Sequence, residues 1–348
     1  MIKISYVIIA VMFAISLTFT IVGIITFDLT SQEIKKLLGS RNEGFAFNMM
    51  QGLDKHIEKR ILDFQDLTNL NLIHYALIQS NEEFEKIENI EEYLLEKEKD
   101  IEFDITAPFI GTREGEVVSE EFEDIINFYH DEYNYDVIEE LFITNAYGAN
   151  VVFGSGTSDY FQSDEEWWQK TKENGIHKGK IQFNEYYQSY SIDFAFRVND
   201  VDGNFIGVLR VVVTLDDLLS DFREESNLLT TSGRNAVLLD ENGYSFFSND
   251  MIGLSDSPTS YSSLIFQGPE TGYFELEDDY DDFQLVSYAQ SSGYKSFEGF
   301  DWVAVVEQNS SSIVGEFIDL RNAILTASIS GMIASVVGGL LISSTIST

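Results

Sequence analysis

The stretch "SIDFAFRVNDVDGNFIGVLRVVVTL", residues 191 to 215, decides the fold. Two runs rich in β-branched and aromatic residues flank Asp202-Gly203, a pair suited to the tight turn of an antiparallel hairpin. In the second run Leu209, Val211, Val213 and Leu215 fall on one face, and Val208, Arg210, Val212 and Thr214 on the other, because successive strand side chains point to opposite sides. A guanidinium on that second face needs an anionic partner. Either it grips a ligand carboxylate through a two-pronged hydrogen bond or it closes an internal salt bridge. Asp193 and Arg197 share a face of the preceding strand, where pairing with neighbours or with water is the alternative to ligand contact.

The same plan recurs on both sides. "LFITNAYGANVVF" (141–153) gives two strands broken at Asn145 to Gly148, and "NAVLLDENGYSFFS" (235–248) repeats this around Asn242-Gly243. A further hairpin is expected over 272–289 and a strand over 301–307 around Trp302, with helices at Asp164 to Asn174 and Asp216 to about Leu229. The chain therefore reads as an α+β protein with two antiparallel sheets, each flanked by helices, divided at "TTSGR" (230–234).

Upstream, Ile34, Leu38, Phe45, Met49, Leu53, Ile57, Ile61 and Phe64 keep helical spacing for over thirty residues, which predicts one long helix. Residues 79–104 read as acidic helix pieces, "APFIGTREGE" (107–116) as a loop, and 119–138 as another helix. From Ile4 to Phe27 the sequence carries no charge, and at about 1.5 Å per residue this run spans roughly 36 Å, enough to cross a bilayer. Lys3 before it and Asp28 after it place the amino terminus in the cytoplasm and the acidic bulk outside. A cleaved signal peptide is the competing reading. A second uncharged run goes from near Ala323 to about Ile342, where Ala323, Ala327, Gly331, Ser335, Gly339 and Ser343 recur every fourth residue. Such a stripe suggests close pairing with another membrane helix.

With 59 acidic against 21 basic residues the formal net charge is -38, which excludes a nucleic-acid partner that needs a basic footprint. The charge reads first as a solvated coat suited to salty surroundings, and second as a means of capturing cations, with "EDDYDDF" (277–283) as the place to look. Without cysteine there is no disulfide or thiolate metal site. The four histidines, His56, His74, His130 and His177, form no paired metal motif, so neither metal nor cofactor is expected. No nucleophile elbow or phosphate loop is present, and the chain does not read as an enzyme.

In "SDYFQSDEEWWQKTKENG" (158–175) two of the three tryptophans stand side by side after a run of acids. Ser163 and Glu166 have capping-box spacing, which accounts for the acids as helix-starting residues. Helical neighbours point about 100° apart, so one ring is expected to be core and the other a pocket wall, with Trp168 taken as wall and Trp167 as core.

This order of elements resembles the double Cache ectodomain, two tandem PAS-like modules found in chemoreceptors and sensor histidine kinases of bacteria and archaea. The similarity rests on "DEEWWQKTKENG", "FRVNDVDGNFIGVLRVVVTLDDL" and the closing "GYKSFEGFDWVAVVEQ", and spans nearly the whole chain. It implies residues 1–27 as cytoplasmic start and first transmembrane helix, 28–78 as the long helix, 79–229 as a membrane-distal module, 230–320 as a membrane-proximal module and 321–348 as a second transmembrane helix. Amino-acid-binding members share a tyrosine, an arginine five residues on, two aromatics, a later tyrosine and a strand aspartate. Tyr160, Trp167, Trp168 and Tyr187 match the aromatic positions, while Glu165 stands at the arginine and Val212 at the aspartate. The aromatic walls are thus kept and the zwitterion clamps are not.

The expected function is a membrane-anchored, two-pass extracytoplasmic sensor that binds a small organic solute in the distal module and passes a conformational signal across the membrane. Its expected ligand-binding residues are Tyr160, Trp167, Trp168, Tyr187, Asp193, Arg197 and Arg210. The ligand classes are an organic acid, an amino acid or an amine-like solute. The resemblance also implies a homodimer through the transmembrane and long helices, and a cytoplasmic kinase or chemotaxis output module. The sequence ends at "ISSTIST", so that module is expected either further along a longer receptor or on a membrane partner. The alternative is a solute-binding or cell-surface protein that does not signal.

Overall fold

The computed structural model describes residues 4–101, 113–154, 159–248, 250–277, 283–309 and 311–346. Its first element, α1 (Ile4–Leu67), is one continuous helix that carries the apolar amino-terminal run straight into the predicted long helix. Ala46, Met49, Met50, Leu53, Ile57, Ile61 and Phe64 form its buried stripe and fix which side faces the sheets. Among the described residues one helix is long and apolar enough to cross a membrane, and it is this one.

Three helices follow: α2 (Asn71–Phe84), α3 (Ile90–Ile101) and α4 (Arg113–Tyr133). The loop expected at 107–116 is overtaken from Arg113 by α4, and its first residues lie outside the described ones, as does most of the acidic run at 277–283. The first sheet contains β1 (Ile138–Asn145), β2 (Asn150–Phe153), β3 (Ile176–Lys178), β4 (Gln182–Asn184), β5 (Ser189–Asn199) and β6 (Phe205–Thr214), in the order β2-β1-β6-β5-β3 with β4 also on β5. Helix α5 (Glu166–Asn174) lies between β2 and β3 in the chain.

After α6 (Leu215–Leu218) and α7 (Ser220–Thr230), the second sheet contains β7 (Arg234–Leu239), β8 (Ser245–Ser248), β9 (Met251–Ile252), β10 (Thr271–Glu277), β11 (Phe283–Gln290) and β12 (Val303–Asn309). Its order is β10-β11-β12-β7-β8-β9, with α8 (Ser262–Gln267) between β9 and β10. The expected hairpin turns form at Gly148, Gly203 and Gly243, each at a φ near +86° that a side chain would strain. The two sheets share one core. Leu209, Val211 and Val213 of β6 belong to the same packed cluster as Ala236 and Leu238 of β7 and as the buried stripe of α1.

The last helix, α9 (Ser311–Ile346), runs beside α1. Its half-buried or buried positions Ile324, Leu325, Ser328, Gly331, Met332, Ser335 and Gly338 recur at steps of three and four, whereas Ala323 and Ala327 of the expected period-4 stripe are exposed. Helices that run nearly parallel meet along a 3.5-residue seam, and a period-4 stripe winds away from it. Gly23 of α1 is so close to α9 that a Cβ there would stand 2.8 Å from Ile324. Gly339 and Ser343 lie outside the residues described at side-chain level.

Candidate ligand-binding site on the outer face of the first sheet

Strand alternation gives β6 two different neighbours. Leu209, Val211 and Val213 enter the shared core with α1, while Arg210 points to the opposite face, under α5. Register builds a row across that outer face: Phe153, Phe142, Arg210, Ala195 and His177 are successive cross-strand partners on β2, β1, β6, β5 and β3. The next row holds Glu140, Val212 and Asp193.

Of the two readings left open for Arg210, the structure places the guanidinium in an internal ion-pair cluster. Nε lies 3.2 Å from Asp193 Oδ2, and Nη1 lies 3.5 Å from Glu140 Oε2. Its guanidinium carbon lies 4.8 Å from the Trp167 ring centroid and 5.7 Å from that of Phe142. Asp193 Oδ2 also stands 4.0 Å from His177 Nε2. Burial raises the Glu140 carboxyl above the usual carboxylate range although Arg210 opposes the shift, and burial lowers the His177 pKa.

The burial of the two tryptophans is the reverse of the expected one. Trp168 is buried, packs on Ala195, Val208 and Phe205, and donates Nε1 to Thr144 Oγ1 at 2.8 Å. Trp167 is half-buried, edge-on to Phe142, and faces Arg210. Both rings meet the outer sheet face, so the 100° step divides them along the strands rather than between core and solvent. The expected capping box does not form. Glu165 is the N-cap without a side-chain bond, and Ser163 Oγ instead donates to Tyr147 O at 2.8 Å. Ser163 is held there because Gly148 packs against it so closely that a Cβ would stand 2.4 Å away.

Tyr160 sits at one end of the site, buried with Phe84, Leu94 and Ala149, and the backbone N–H groups of Tyr160 and Phe161 both donate to Glu98 Oε2 at 2.7 Å. Beside it, Asp159 is pushed up to about 7 by burial and by the nearby acids Glu98, Glu165 and Asp164, with Arg210 opposing. Arg197 is at the other end, its guanidinium 5.1 Å from the Phe205 ring centroid and bonded to Asn199 and to the carbonyl of Lys172 at the end of α5. Tyr187 packs edge-on to Tyr186 beyond β4, away from the Arg210 row. The structure thus brings Trp167, Trp168, Asp193 and Arg210 together, with Tyr160 and Arg197 at the margins. Glu140, Asp159 and His177 join the site without having been singled out. Glu140 was hard to single out because Glu139 stands beside it on the opposite face of β1.

Just beyond β6, toward α1, lies a second charged contact. Arg60 of α1 makes a two-pronged bond to Asp217 of α6, with Nε to Oδ2 at 2.7 Å and Nη2 to Oδ1 at 2.6 Å, both side chains being buried. Asp217 is fixed just beyond β6 because Thr214 caps its short helix.

No family model and no curated protein matches the sequence. Among solved structures, the chain is similar to the ligand-binding domain of the Pseudomonas aeruginosa amino acid chemoreceptor PctB in complex with L-Arg (12% identity, 86% of this chain and 99% of that one, TM-score 0.49). It is similar to that of the Campylobacter jejuni chemoreceptor Tlp3 with 4-methylisoleucine (15%, 79% and 93%, TM-score 0.46). It is also similar to the extracellular domain of the putative histidine kinase rpHK1S-Z16 (13%, 74% and 98%, TM-score 0.40). These three are two chemoreceptor ligand-binding domains and the extracellular domain of a putative histidine kinase.

Proposed function

We propose that the chain is a membrane-anchored extracytoplasmic sensor whose ligand site lies on the outer face of the first sheet, between β6 and α5. The observation that carries this reading is the two-sidedness of β6. Its outer face holds Arg210 within a ring of acids and tryptophans, and its inner face packs on α1, the helix that continues into the apolar run. A solute that pulls on the outer face biases the position of α1 through shared packing and through the Arg60 to Asp217 bond, and needs only a differential affinity for two arrangements to do so.

Residues 79–229 and 230–320 are read as the membrane-distal and membrane-proximal modules, 1–27 and 321–348 as the two spans, and the long helices as the dimer contact. The support for the second span is the long uncharged stretch of α9 beside the apolar part of α1. The output partner is a kinase or chemotaxis module, and the outer face binds its solute without chemistry.

The absence of native cysteine allows a clean test. Ser16→Cys and Gly331→Cys place a pair across the two helices where a Cβ at Gly331 would stand 3.9 Å from Ser16 Oγ. Solutes that raise the melting temperature of the full chain should change the rate of disulfide formation between these positions in membranes. Binding without any change in that rate would favour a solute-capturing protein that does not signal.

A further inference from the structure

In a chain with 59 acidic residues against 21 basic ones, a guanidinium has no shortage of carboxylates to pair with. Arg60, Arg210 and Arg223 each have one within ion-pair distance. Arg41 and Arg234 do not: among the described residues neither makes an ion pair, and yet the two stand together. Their guanidinium carbons lie 5.5 and 5.3 Å from the centroid of one ring, that of Phe45. Arg41 is exposed, so the pair is open to solvent on that side.

The fold brings these two cations to one place. Arg41 precedes Phe45 by one turn of α1, where side chains four apart are neighbours. Arg234 opens β7 and pairs with Gln308 of β12, whose Oε1 accepts from Asn42 Nδ2 of α1 at 2.9 Å, so the start of β7 is held beside α1. Glu43 lies between Arg41 and Phe45 in sequence, but two residues turn a helix by about 200°, and its Oε1 accepts from Thr271 Oγ1 at 2.7 Å instead. Arg234 donates Nη1 to Ser232 Oγ at 2.8 Å, and its Nε is buried with no acceptor. Burial, and after it the charge of Arg41, lowers the Arg234 pKa. The Phe45 ring attracts each cation, but neither the ring nor the hydroxyl carries a formal negative charge to offset the repulsion between the two.

We infer that Arg41 and Arg234 form a site for a dianionic oxyanion of the phosphate or sulfate class, gripped by both guanidinium groups with the Ser232 hydroxyl beside it. A guanidinium fork matches the oxygens of such an anion, and two forks match its double charge. Bound there, the anion neutralises both arginines and ties α1 to the first strand of the second sheet. The site thus acts on the helix that carries the apolar run, whether or not the outer face of the first sheet takes a solute.

The test uses the full chain in detergent micelles and a phosphate-free buffer, with sodium sulfate and sodium phosphate titrated against sodium chloride at matched ionic strength. The melting temperature should rise to a plateau with sulfate and with phosphate, and not with chloride. Sulfate also stabilises proteins by exclusion from their surfaces, but that effect neither saturates nor depends on a particular arginine. The double variant Arg41→Gln, Arg234→Gln should lose the saturable part, and Arg41→Gln alone should weaken the apparent affinity at least tenfold. In chloride, Arg41→Gln should be no less stable than the parent, because it relieves the repulsion. A sulfate response equal in parent and double variant is general salt action and overturns the inference. So does a loss of stability in Arg41→Gln with an unchanged sulfate curve, which makes Arg41 a packing partner of Phe45. If the double variant does not fold, Arg234→Lys, which keeps the charge without the fork, must weaken the sulfate response at least threefold or the inference falls.

Discussion

The two sheets repeat one another closely enough for their outer faces to be compared position by position. In the first, the turn acceptor Asn145 takes the backbone N–H groups of Tyr147 and Ala149, and in the second Asp240 takes those of Asn242 and Tyr244. The turn glycines, Gly148 and Gly243, press in the same way on Ser163 and Ser262 beside the covering helices α5 and α8. Counting three residues back from each turn acceptor, Phe142 pairs with Arg210 and Val237 pairs with Val305. Arg210 in turn pairs with Ala195, and Val305 with Tyr288. The same central position thus carries a guanidinium in one sheet and a valine in the other. Around Val305 the face closes on itself with Val237, Leu239, Val286, Val303, Tyr261 and Ile265, leaving aliphatic packing where the first sheet has ionised groups. One plan yields a filled face and a charged one, and only the charged one has reason to meet a polar solute.

The largest expected effect comes from making the first sheet copy the second. Arg210→Val leaves Asp193 and Glu140 without their cation, and removing one partner of a buried pair costs about 3 to 5 kcal/mol. Chemical denaturation of the full chain should show a loss at or below the low end of that range, since the Arg210 side chain keeps 18% of its exposure. The triple variant Arg210→Val, Asp193→Val, Glu140→Leu should recover most of it, because apolar groups of similar volume replace buried ions at little or no cost. If the single variant is as stable as the parent, the cluster is not what holds this face together.

A smaller effect is expected from pH. Asp159 is pushed up to about 7 in the folded chain from an ordinary value of 3.8. Between those values the folded state holds a proton that the unfolded state has lost, so this group's contribution to stability is full below about 4 and declines as pH rises to about 7. Glu140 and Asp54, also raised by burial, act in the same direction. Asp217 opposes them: burial works against its ionisation, but the nearby His56 and the two hydrogen bonds from Arg60 hold it below its ordinary value. Asp159→Asn should therefore flatten the fall in melting temperature between pH 5 and 8 without abolishing it. An identical pH profile in parent and variant would show that Asp159 titrates in its ordinary range.

Strand alternation and turn chemistry made the sheets legible in the sequence. Asp202-Gly203 and Asn242-Gly243 mark their hairpins, and the apolar face of 209–215 became the core face of β6. The long helix was equally clear, because its stripe from Met49 to Phe64 keeps one period throughout. Less accessible were features set by long-range contact. The state of Arg210 depends on Glu140, which reaches it through the pairing of β1 with β6 rather than through proximity in sequence. Ser163 could not be recognised as lost to the helix cap, because its hydroxyl is taken by a turn sixteen residues earlier. Two adjacent tryptophans likewise meet different partners across the sheet, Thr144, Ala195 and Val208 for Trp168 and Arg210 for Trp167.

The smallest effect tests a polar contact on the second sheet's outer face. Two residues along from Val305, Glu307 accepts from the Tyr261 hydroxyl at 2.7 Å and from Asn235 Nδ2 at 3.0 Å. The Tyr261 hydroxyl is held protonated by burial and by Glu307, the acceptor that its proton serves. Tyr261→Phe keeps the ring in its cluster with Ile265 and Val286 and removes only this bond. Because Glu307 retains Asn235 and remains half-buried, the cost should be that of one hydrogen bond to a charged group with a remaining partner, about 1 to 1.5 kcal/mol. The variant should leave solute binding at the first sheet unchanged. A loss of stability within that range with binding intact supports the division between a filled face and a binding face. A marked change in binding would instead place Tyr261 and Glu307 in a second, cooperating site, and the contrast between the two sheets would fail.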